Sequence, residues 1–256
     1  MNRLDALLQQ KDNLLSIYFT AGYPSLNDTM KILEGLNNAG ADFVEIGMPF
    51  SDPLADGPVI QRASLDALNN GISIKKMFEQ IRDMRRSITI PVVLMGYINP
   101  IMHFGMENFV SKCQAVGVDG LILPDLPWDE YVEKYKAMMD NASIRFIPLI
   151  APQTPDDRVR HIDEKCDGFI YMVASAGITG KINTSEDYRT KYFNRIRNLK
   201  LRNKTLIGFG ITDNAGYKHA CQHASGAIVG TAFIKHIQEK GASAESINSF
   251  ISRLKG

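Results

Sequence analysis

The sequence of 256 residues has almost no net charge, because 29 Lys and Arg are balanced by 28 Asp and Glu. A formal charge of +1 gives no electrostatic reason to expect binding to nucleic acid or a polybasic contact with a membrane. Cysteine is also scarce: Cys113, Cys166 and Cys221 are widely spaced and form no CxxC pair. This usage is typical of reduced thiols, so we expect no disulfide and a reducing compartment.

Long apolar runs are missing as well. The first residues, Met-Asn-Arg-Leu-Asp, lack the apolar stretch of a secretory signal, and no segment approaches the roughly 20 apolar residues of a membrane span. We therefore expect a cytoplasmic protein. The 45% of hydrophobic and 22% of charged residues are ordinary for a globular chain, which at this length needs no metal or disulfide to hold its core.

Eight short apolar runs, rich in β-branched residues, recur along the chain, and each leaves room for a helix after it. Few of them alternate with polar residues, which is typical of strands covered on both faces. They span residues 16–21, 42–47, 92–97, 120–124, 146–150, 168–173, 205–210 and 227–230. Helical spacing of apolar residues lies between them and after the last, most clearly at 30–37, 74–81, 109–116 and 247–254. No linker or charge block interrupts the series, so we expect one domain over residues 1–256.

Eight such units in about 250 residues match the size of a (β/α)8 barrel. A doubly wound sheet would also alternate, but its dinucleotide-binding form carries GxGxxG after the first strand. Here the first run leads into Thr20-Ala-Gly-Tyr-Pro24, and Gly208-Phe-Gly210 has Asp213 where a third glycine would stand. The prediction is an α/β fold, a single (β/α)8 TIM barrel with an additional N-terminal helix.

In such a barrel, function lies on the loops that follow the carboxyl ends of the strands. Glu45 lies in the second run, where apolar walls would raise its pKa and suit it to proton transfer. The next loop, 48–58, contains three prolines that stiffen it, and it could place Asp56 near Glu45. The alternatives are that a neighbouring hydroxyl or amide merely holds Glu45, and that Asp56 is a solvated turn residue.

Three consecutive loops near the end of the chain contain glycine. The last two runs end at Gly210 and Gly230, and Thr231 follows, while loop 6 contains Gly177-Ile-Thr-Gly180. Barrels with a phosphate site hold the phosphate through backbone N–H groups of such loops, and glycine permits the close approach. One glycine at a strand end is often only a turn, but three such loops together favour a phosphate site.

The residues from Glu45 to Gln61, Glu-Ile-Gly-Met-Pro-Phe-Ser-Asp-Pro-Leu-Ala-Asp-Gly-Pro-Val-Ile-Gln, closely resemble the motif of the tryptophan synthase alpha subunit family. Supporting matches run in the expected order along the chain, at 19–24, 95–100, 124–127, 176–180 and 208–210. The resemblance implies retro-aldol cleavage of indole-3-glycerol phosphate to indole and glyceraldehyde 3-phosphate.

The resemblance also implies roles for individual residues. Glu45 matches the family's general acid/base, and Asp56 matches the carboxylate that accepts the indole N–H. Tyr171 matches a tyrosine close to the glutamate. Tyr18 stands where the family usually has Phe, so for this position the resemblance implies only an aromatic side chain that lines the site. Gly180, Gly210, Gly230 and Thr231 match the phosphate-binding positions. Thr179 of loop 6 is a further candidate for substrate binding, and Phe209 and Leu123 are candidates for packing against indole.

A retro-aldol reaction needs an electron sink, which many aldolases supply as a Schiff-base lysine or a metal. No predicted strand interior carries Lys, and Lys181 lies in loop 6. His219 and His223 are four residues apart, but they lie on the predicted helix between strands 7 and 8, which favours a surface position over a metal pair. Protonation of indole C3 can make the substrate its own sink. We expect no cofactor in this chain.

The family's partner is a beta subunit that uses pyridoxal phosphate, so the resemblance implies an alpha2-beta2 heterotetramer through which indole passes. Met102, Phe104 and Met106, in or after loop 3, are consistent with a contact surface, or equally with the hydrophobic start of a helix. Three other interpretations stay open: a stand-alone indole-releasing lyase, another phosphate-binding barrel aldolase or isomerase, and a non-catalytic binding subunit.

Overall fold

The computed structural model describes residues 1–173, 186–208 and 210–256, and the strands among them form one parallel sheet. Hydrogen bonds connect its segments in the order β5-β4-β3-β2-β1-β9-β8-β7-β6. The segments are β1 (Leu14–Thr20), β2 (Phe43–Gly47), β3 (Val92–Met95), β4 (Gly120–Ile122), β5 (Arg145–Phe146), β6 (Leu149–Ile150), β7 (Phe169–Val173), β8 (Lys204–Gly208) and β9 (Gly226–Val229).

The two ends of this order, β5 and β6, are neighbours in the chain, and their junction closes the barrel. Ile147 donates its N–H to the carbonyl of Leu121 at 2.8 Å, on the β4 side. On the other side, Tyr171 donates its N–H to the carbonyl of Pro148 at 2.9 Å. Proline has no N–H, so the ladder is interrupted there. The predicted fifth strand is therefore present as two short pieces, and the predicted (β/α)8 barrel is confirmed.

Helices surround the barrel, and one precedes its first strand as predicted. Their bounds are α1 (Arg3–Gln10), α2 (Asp28–Ala39), α3 (Pro58–Asn69), α4 (Ile74–Ile81), α5 (Ile98–Phe104), α6 (Met106–Val116), α7 (Trp128–Glu130), α8 (Lys136–Asn141), α9 (Asp156–Lys165), α10 (Glu186–Asn198), α11 (Asn214–His223), α12 (Thr231–Lys240) and α13 (Ala244–Lys255). The four segments with the clearest helical spacing lie in α2, α4, α6 and α13. Among the described helices, none has the length and hydrophobicity needed to cross a bilayer.

The barrel encloses an inner apolar core. Alternate side chains of each strand point inward, and almost every strand supplies one. The inner cluster includes Leu14, Phe43, Val93, Ile122, Ile147, Phe169, Tyr171, Leu206 and Ile228. Helix α1 adds Leu4 and Leu8 to this cluster, which closes the barrel at the amino ends of the strands. The additional N-terminal helix thus acts as a plug, and the carboxyl ends remain for the site.

Charged groups fasten that plug to the barrel. Asp119 is buried directly before β4, where its carboxylate pairs with Arg3 of α1 and with Arg85. Arg145 forms a bidentate salt bridge with Asp5, in which the guanidinium nitrogens lie 2.7 to 3.1 Å from the carboxylate oxygens. Bidentate geometry makes such arginine pairs stronger than single contacts. These acidic side chains therefore support the closed end of the barrel, opposite the site.

Candidate active site

Glu45 is the central residue of β2, and its side chain is fully buried inside the barrel. In the parallel register it lies beside Tyr18 of β1. The hydroxyl of Ser16 donates a hydrogen bond to Glu45 Oε1 at 3.4 Å, and Oε2 has no partner within the described residues. Burial raises the pKa of Glu45 to about 8, while the Ser16 hydrogen bond acts in the opposite direction. A carboxyl with this pKa is mostly protonated at neutral pH.

Asp56 lies in the loop after β2 and is buried as well, which excludes the solvated-turn alternative. Two hydrogen bonds hold the backbone of Asp56. Its N–H donates to the carbonyl of Pro53 at 3.0 Å, and its carbonyl accepts the side-chain amide of Gln61 at 2.9 Å. The hydroxyl of Tyr97 donates to Asp56 Oδ2 at 3.2 Å and accepts the N–H of Ala55 at 2.9 Å. Burial raises the pKa of Asp56 to about 6, and the Tyr97 hydrogen bond lowers it. Asp56 is therefore mostly ionised at neutral pH.

Inside the barrel, the ring of Tyr18 packs against Gly47 and the ring of Tyr171 packs against Gly208. A Cβ on Gly47 would lie 2.1 Å from the hydroxyl oxygen of Tyr18, and a Cβ on Gly208 would lie 2.0 Å from that of Tyr171. Any side chain at either glycine would displace the ring, so the glycines are needed for close approach. Burial is the main cause that raises the pKa of both tyrosines, and the carboxyl groups of Glu45 and Asp56 raise it further. Both phenols stay neutral next to the carboxyls.

A cavity at the carboxyl ends of the strands brings most of the predicted residues together. It is lined by Tyr18, Asp56, Ile60, Met95, Tyr171, Gly210, Ile211, Thr212, Ile228, Gly230 and Thr231. Glu45 is buried beside Tyr18 rather than in the lining. Leu123, which directly follows β4, is 1% exposed and is absent from the lining formed by the described residues. The predicted residues Thr179, Gly180 and Phe209, with the rest of loop 6 (174–185), lie outside the described residues.

Two of the predicted phosphate loops meet at one corner of this cavity. Gly210 has a φ of +79°, a conformation that favours glycine, directly after β8 and the undescribed residue 209. Gly230 precedes α12, a helix of 10 residues that begins at Thr231. The first N–H groups of a helix lack partners inside the helix, and the helix dipole favours an anion there. The corner is therefore suited to a phosphate group.

The histidine pair lies outside this cavity. His219 and His223 are both on α11, with ring centroids 4.9 Å apart. Across residues 1–173, 186–208 and 210–256, no group of three or more His, Cys, Asp or Glu side chains is arranged to hold a metal ion. Both histidines are half-buried on α11, and the His223 ring packs against Phe193 at a centroid distance of 5.8 Å.

Of the three apolar residues predicted as a contact surface after β3, one is exposed and two pack inside the protein. Met102 is 52% exposed, whereas Met106 is buried and the Phe104 ring packs against Phe78 at a centroid distance of 6.0 Å. Two of the three apolar residues therefore belong to helix packing. Leu54, in the loop that carries Asp56, is 76% exposed.

The sequence pattern did not point to Ser16 or Tyr97, which hold the two carboxyl groups. Tyr97 lies within the matched segment 95–100, so the motif contains it without showing its function. The signal at Ser16 is a polar residue inside an otherwise apolar run. Gly47 and Gly208 also belong to matched motifs, but their purpose becomes visible only when the tyrosine rings are placed.

Comparison with known proteins gives a consistent result. The family model described as "Tryptophan synthase alpha chain" matches residues 4–254. The chain is 50% identical over 255 residues to the tryptophan synthase alpha chain of Christiangramia forsetii, covering 100% of this chain and 99% of that protein. It is 49% identical to the alpha chain of Flavobacterium psychrophilum, covering 99% and 100%. The crystal structure of tryptophan synthase subunit alpha from Legionella pneumophila superposes with a TM-score of 0.88 at 31% identity, covering 100% of this chain and 97% of that chain.

The contact between Gly208 and Tyr171 generates a stability prediction. Gly208→Ala places a methyl group 2.0 Å from the Tyr171 hydroxyl oxygen, so we expect the free energy of unfolding to fall by about 1–3 kcal/mol. Gly57→Ala is the matched control, because no atom outside its chain neighbours lies within 4 Å of a Cβ there. Urea denaturation of both variants measures the difference. Equal stability of the two variants would show that the ring is not held against Gly208.

Proposed function

The chain belongs to the tryptophan synthase alpha chain family, and on that premise we propose that it is a carbon–carbon lyase. The proposed reaction is retro-aldol cleavage of indole-3-glycerol phosphate to indole and glyceraldehyde 3-phosphate. The observation that carries the proposal is the pair of buried carboxyl groups, Glu45 and Asp56, whose different surroundings set one pKa to about 8 and the other to about 6. Two carboxyls with separated pKa values can divide acid and base roles.

The cleavage transfers one proton and needs no oxidant or reductant. A proton added to indole C3 gives an indolenine cation, which then accepts the electron pair of the breaking carbon–carbon bond. The hydroxyl on the side chain loses its proton and becomes the aldehyde carbonyl. The two proton movements cancel, so the enzyme ends the cycle in the protonation state in which it began.

Glu45 and Asp56 fit the two charge-handling tasks of this reaction. Glu45, mostly protonated at neutral pH, donates the proton to C3 and then accepts the proton of the hydroxyl. Asp56, mostly ionised, accepts a hydrogen bond from the indole N–H and stabilises the positive charge that develops on the ring. Tyr97 holds Asp56 in place for this contact.

The remaining residues bind the two ends of the substrate. Tyr18 and Tyr171 form aromatic walls of the cavity next to the carboxyl pair, and we assign them to the indole ring. Gly210, Gly230 and Thr231 line the corner that is suited to the phosphate. From their places in the family motif alone, we assign Gly180 to the same phosphate, Thr179 to the substrate and Phe209 to indole packing. Leu123, which directly precedes the matched segment 124–127, is a further candidate for indole packing.

We further propose that the chain acts as one domain, in the cytoplasm, without a cofactor of its own. Its partner is a tryptophan synthase beta subunit, in an alpha2-beta2 heterotetramer, and pyridoxal phosphate belongs to that subunit. Exposed apolar side chains at Leu54 and Met102, in segments after neighbouring strands, support a contact surface around the cavity mouth.

The pKa values of the carboxyl pair generate an activity prediction. We expect kcat/KM for indole release to rise with pH as Asp56 ionises near pH 6, and to fall as Glu45 loses its proton near pH 8. Glu45→Gln removes the proton donor and should lower kcat by at least about 100-fold. Glu79→Gln, an exposed change on α4, is the matched control and should behave as wild type.

An indole-release assay from pH 5 to 10, with and without a beta subunit, makes this measurement. A bell-shaped profile that Glu45→Gln abolishes supports the lyase. Full activity without the beta subunit identifies the stand-alone variant. A folded protein without activity in either mixture contradicts the proposal and favours another phosphate-binding barrel enzyme or a non-catalytic subunit.

The exposed Leu54 generates a prediction about the partner. Leu54→Ala should raise the dissociation constant for the beta subunit about tenfold, as expected when an apolar anchor of an interface is truncated. Leu65→Ala is the matched control, because Leu65 is also exposed, at 47%, but lies on α3 outside the loop. Calorimetric titration with the beta subunit compares them. Equal dissociation constants for the two variants would place the interface elsewhere.

A further inference from the structure

Ser16 is a polar residue in an apolar layer of the barrel. It lies on β1 with no exposed surface, and its partners in register are Phe43 of β2 and Ile228 of β9. Both belong to the inner apolar core. Burying a hydroxyl among such side chains is unfavourable unless it has a hydrogen-bond partner. The serine therefore needs an explanation other than packing.

The partner of Ser16 is Glu45. The Ser16 hydroxyl donates to Oε1 at 3.4 Å, a long and weak hydrogen bond between two fully buried side chains. Glu45 itself is in register with Tyr18, two residues farther along β1. Ser16 thus approaches the carboxyl from the amino end of the barrel, the side away from the site loops. Within the described part of the chain, the other oxygen, Oε2, has no hydrogen-bond partner.

We propose that Ser16 is a positioning residue for the proposed lyase reaction. Its hydroxyl donates a hydrogen bond to Oε1 from the amino end of the barrel and so fixes the orientation of the Glu45 carboxyl. Oε2 is then the oxygen that exchanges a proton with the substrate. This inference rests on the proposed function for its kinetic consequences. Its structural part, the control of Glu45 by one serine hydroxyl, does not depend on the substrate.

The hydrogen bond also has a consequence for the titration of Glu45. A donor to the ionised carboxylate favours that form, so it opposes the effect of burial. Among the residues that the structure describes, the titratable groups that face Glu45 are Tyr18 on β1 and Tyr171 on β7, and Asp56 acts on both tyrosines. Both phenols are neutral in the range where Glu45 titrates. Removing the serine hydroxyl should therefore move the pKa of Glu45 upward.

Three serine variants test whether the Ser16 hydroxyl positions Glu45 or whether Ser16 merely fills space in the core. Ser16→Ala deletes the hydroxyl, Ser16→Thr retains it, and Ser64→Ala deletes the hydroxyl of another buried serine, on α3 outside the barrel. We expect Ser16→Ala to lower kcat about 2- to 10-fold with little change in KM, as the loss of one weak hydrogen bond would. Its basic limb should also shift to higher pH. Ser16→Thr and Ser64→Ala should keep the kcat and the pH profile of the wild type.

A second measurement makes the outcome independent of catalysis. The infrared band of the protonated Glu45 carboxyl, identified by its loss in Glu45→Gln, is titrated in wild type and in Ser16→Ala. We expect the midpoint to be higher in Ser16→Ala. If the wild type lacks lyase activity but this midpoint shifts, the proposed function fails while the control by Ser16 stands. An unchanged midpoint in Ser16→Ala, or an unchanged kcat in an active enzyme, would overturn the inference. Ser16 would then only fill space in the core.

Discussion

The rest of the site depends on the burial of one carboxyl group inside an apolar barrel. Glu45 has no exposed surface, and within residues 1–173, 186–208 and 210–256 its ionisation exchanges hydration for one long hydrogen bond from Ser16. The neutral form is favoured, and the pKa rises to about 8. The neighbouring groups are compatible with this state, because Tyr18 and Tyr171 carry phenols that stay neutral. The barrel thus keeps a proton donor available at the pH at which free glutamate would have lost its proton.

The second carboxyl is held differently, and the difference gives each group its role. Asp56 lies on a loop that prolines and the Gln61 amide stabilise, and the Tyr97 hydroxyl supports its ionised form. Its pKa of about 6 leaves it charged when Glu45 is neutral. One rigid barrel therefore holds an anion, Asp56, in the lining of the cavity and an acid, Glu45, buried beside the lining residue Tyr18. The separation follows from burial and hydrogen bonding alone.

Much of this could be predicted from the sequence. Strands covered on both faces are continuous apolar runs, so the eight runs marked the barrel strands, and the motif around Glu45 and Asp56 indicated the two carboxyls. The sequence did not identify Ser16 or Tyr97, because a hydrogen bond between strands or loops depends on register and loop path. It also could not explain Gly208, since only the placed Tyr171 ring shows why a side chain is excluded.

The central claim is that Glu45 holds its proton to a higher pH than Asp56. Carbon-13 NMR of protein labelled at the side-chain carboxyls of Glu and Asp tests it directly, with the signals assigned from Glu45→Gln and Asp56→Asn. We expect a midpoint near pH 8 for Glu45 and near pH 6 for Asp56. A Glu45 signal that is already ionised at pH 6, or an Asp56 midpoint above that of Glu45, would contradict it.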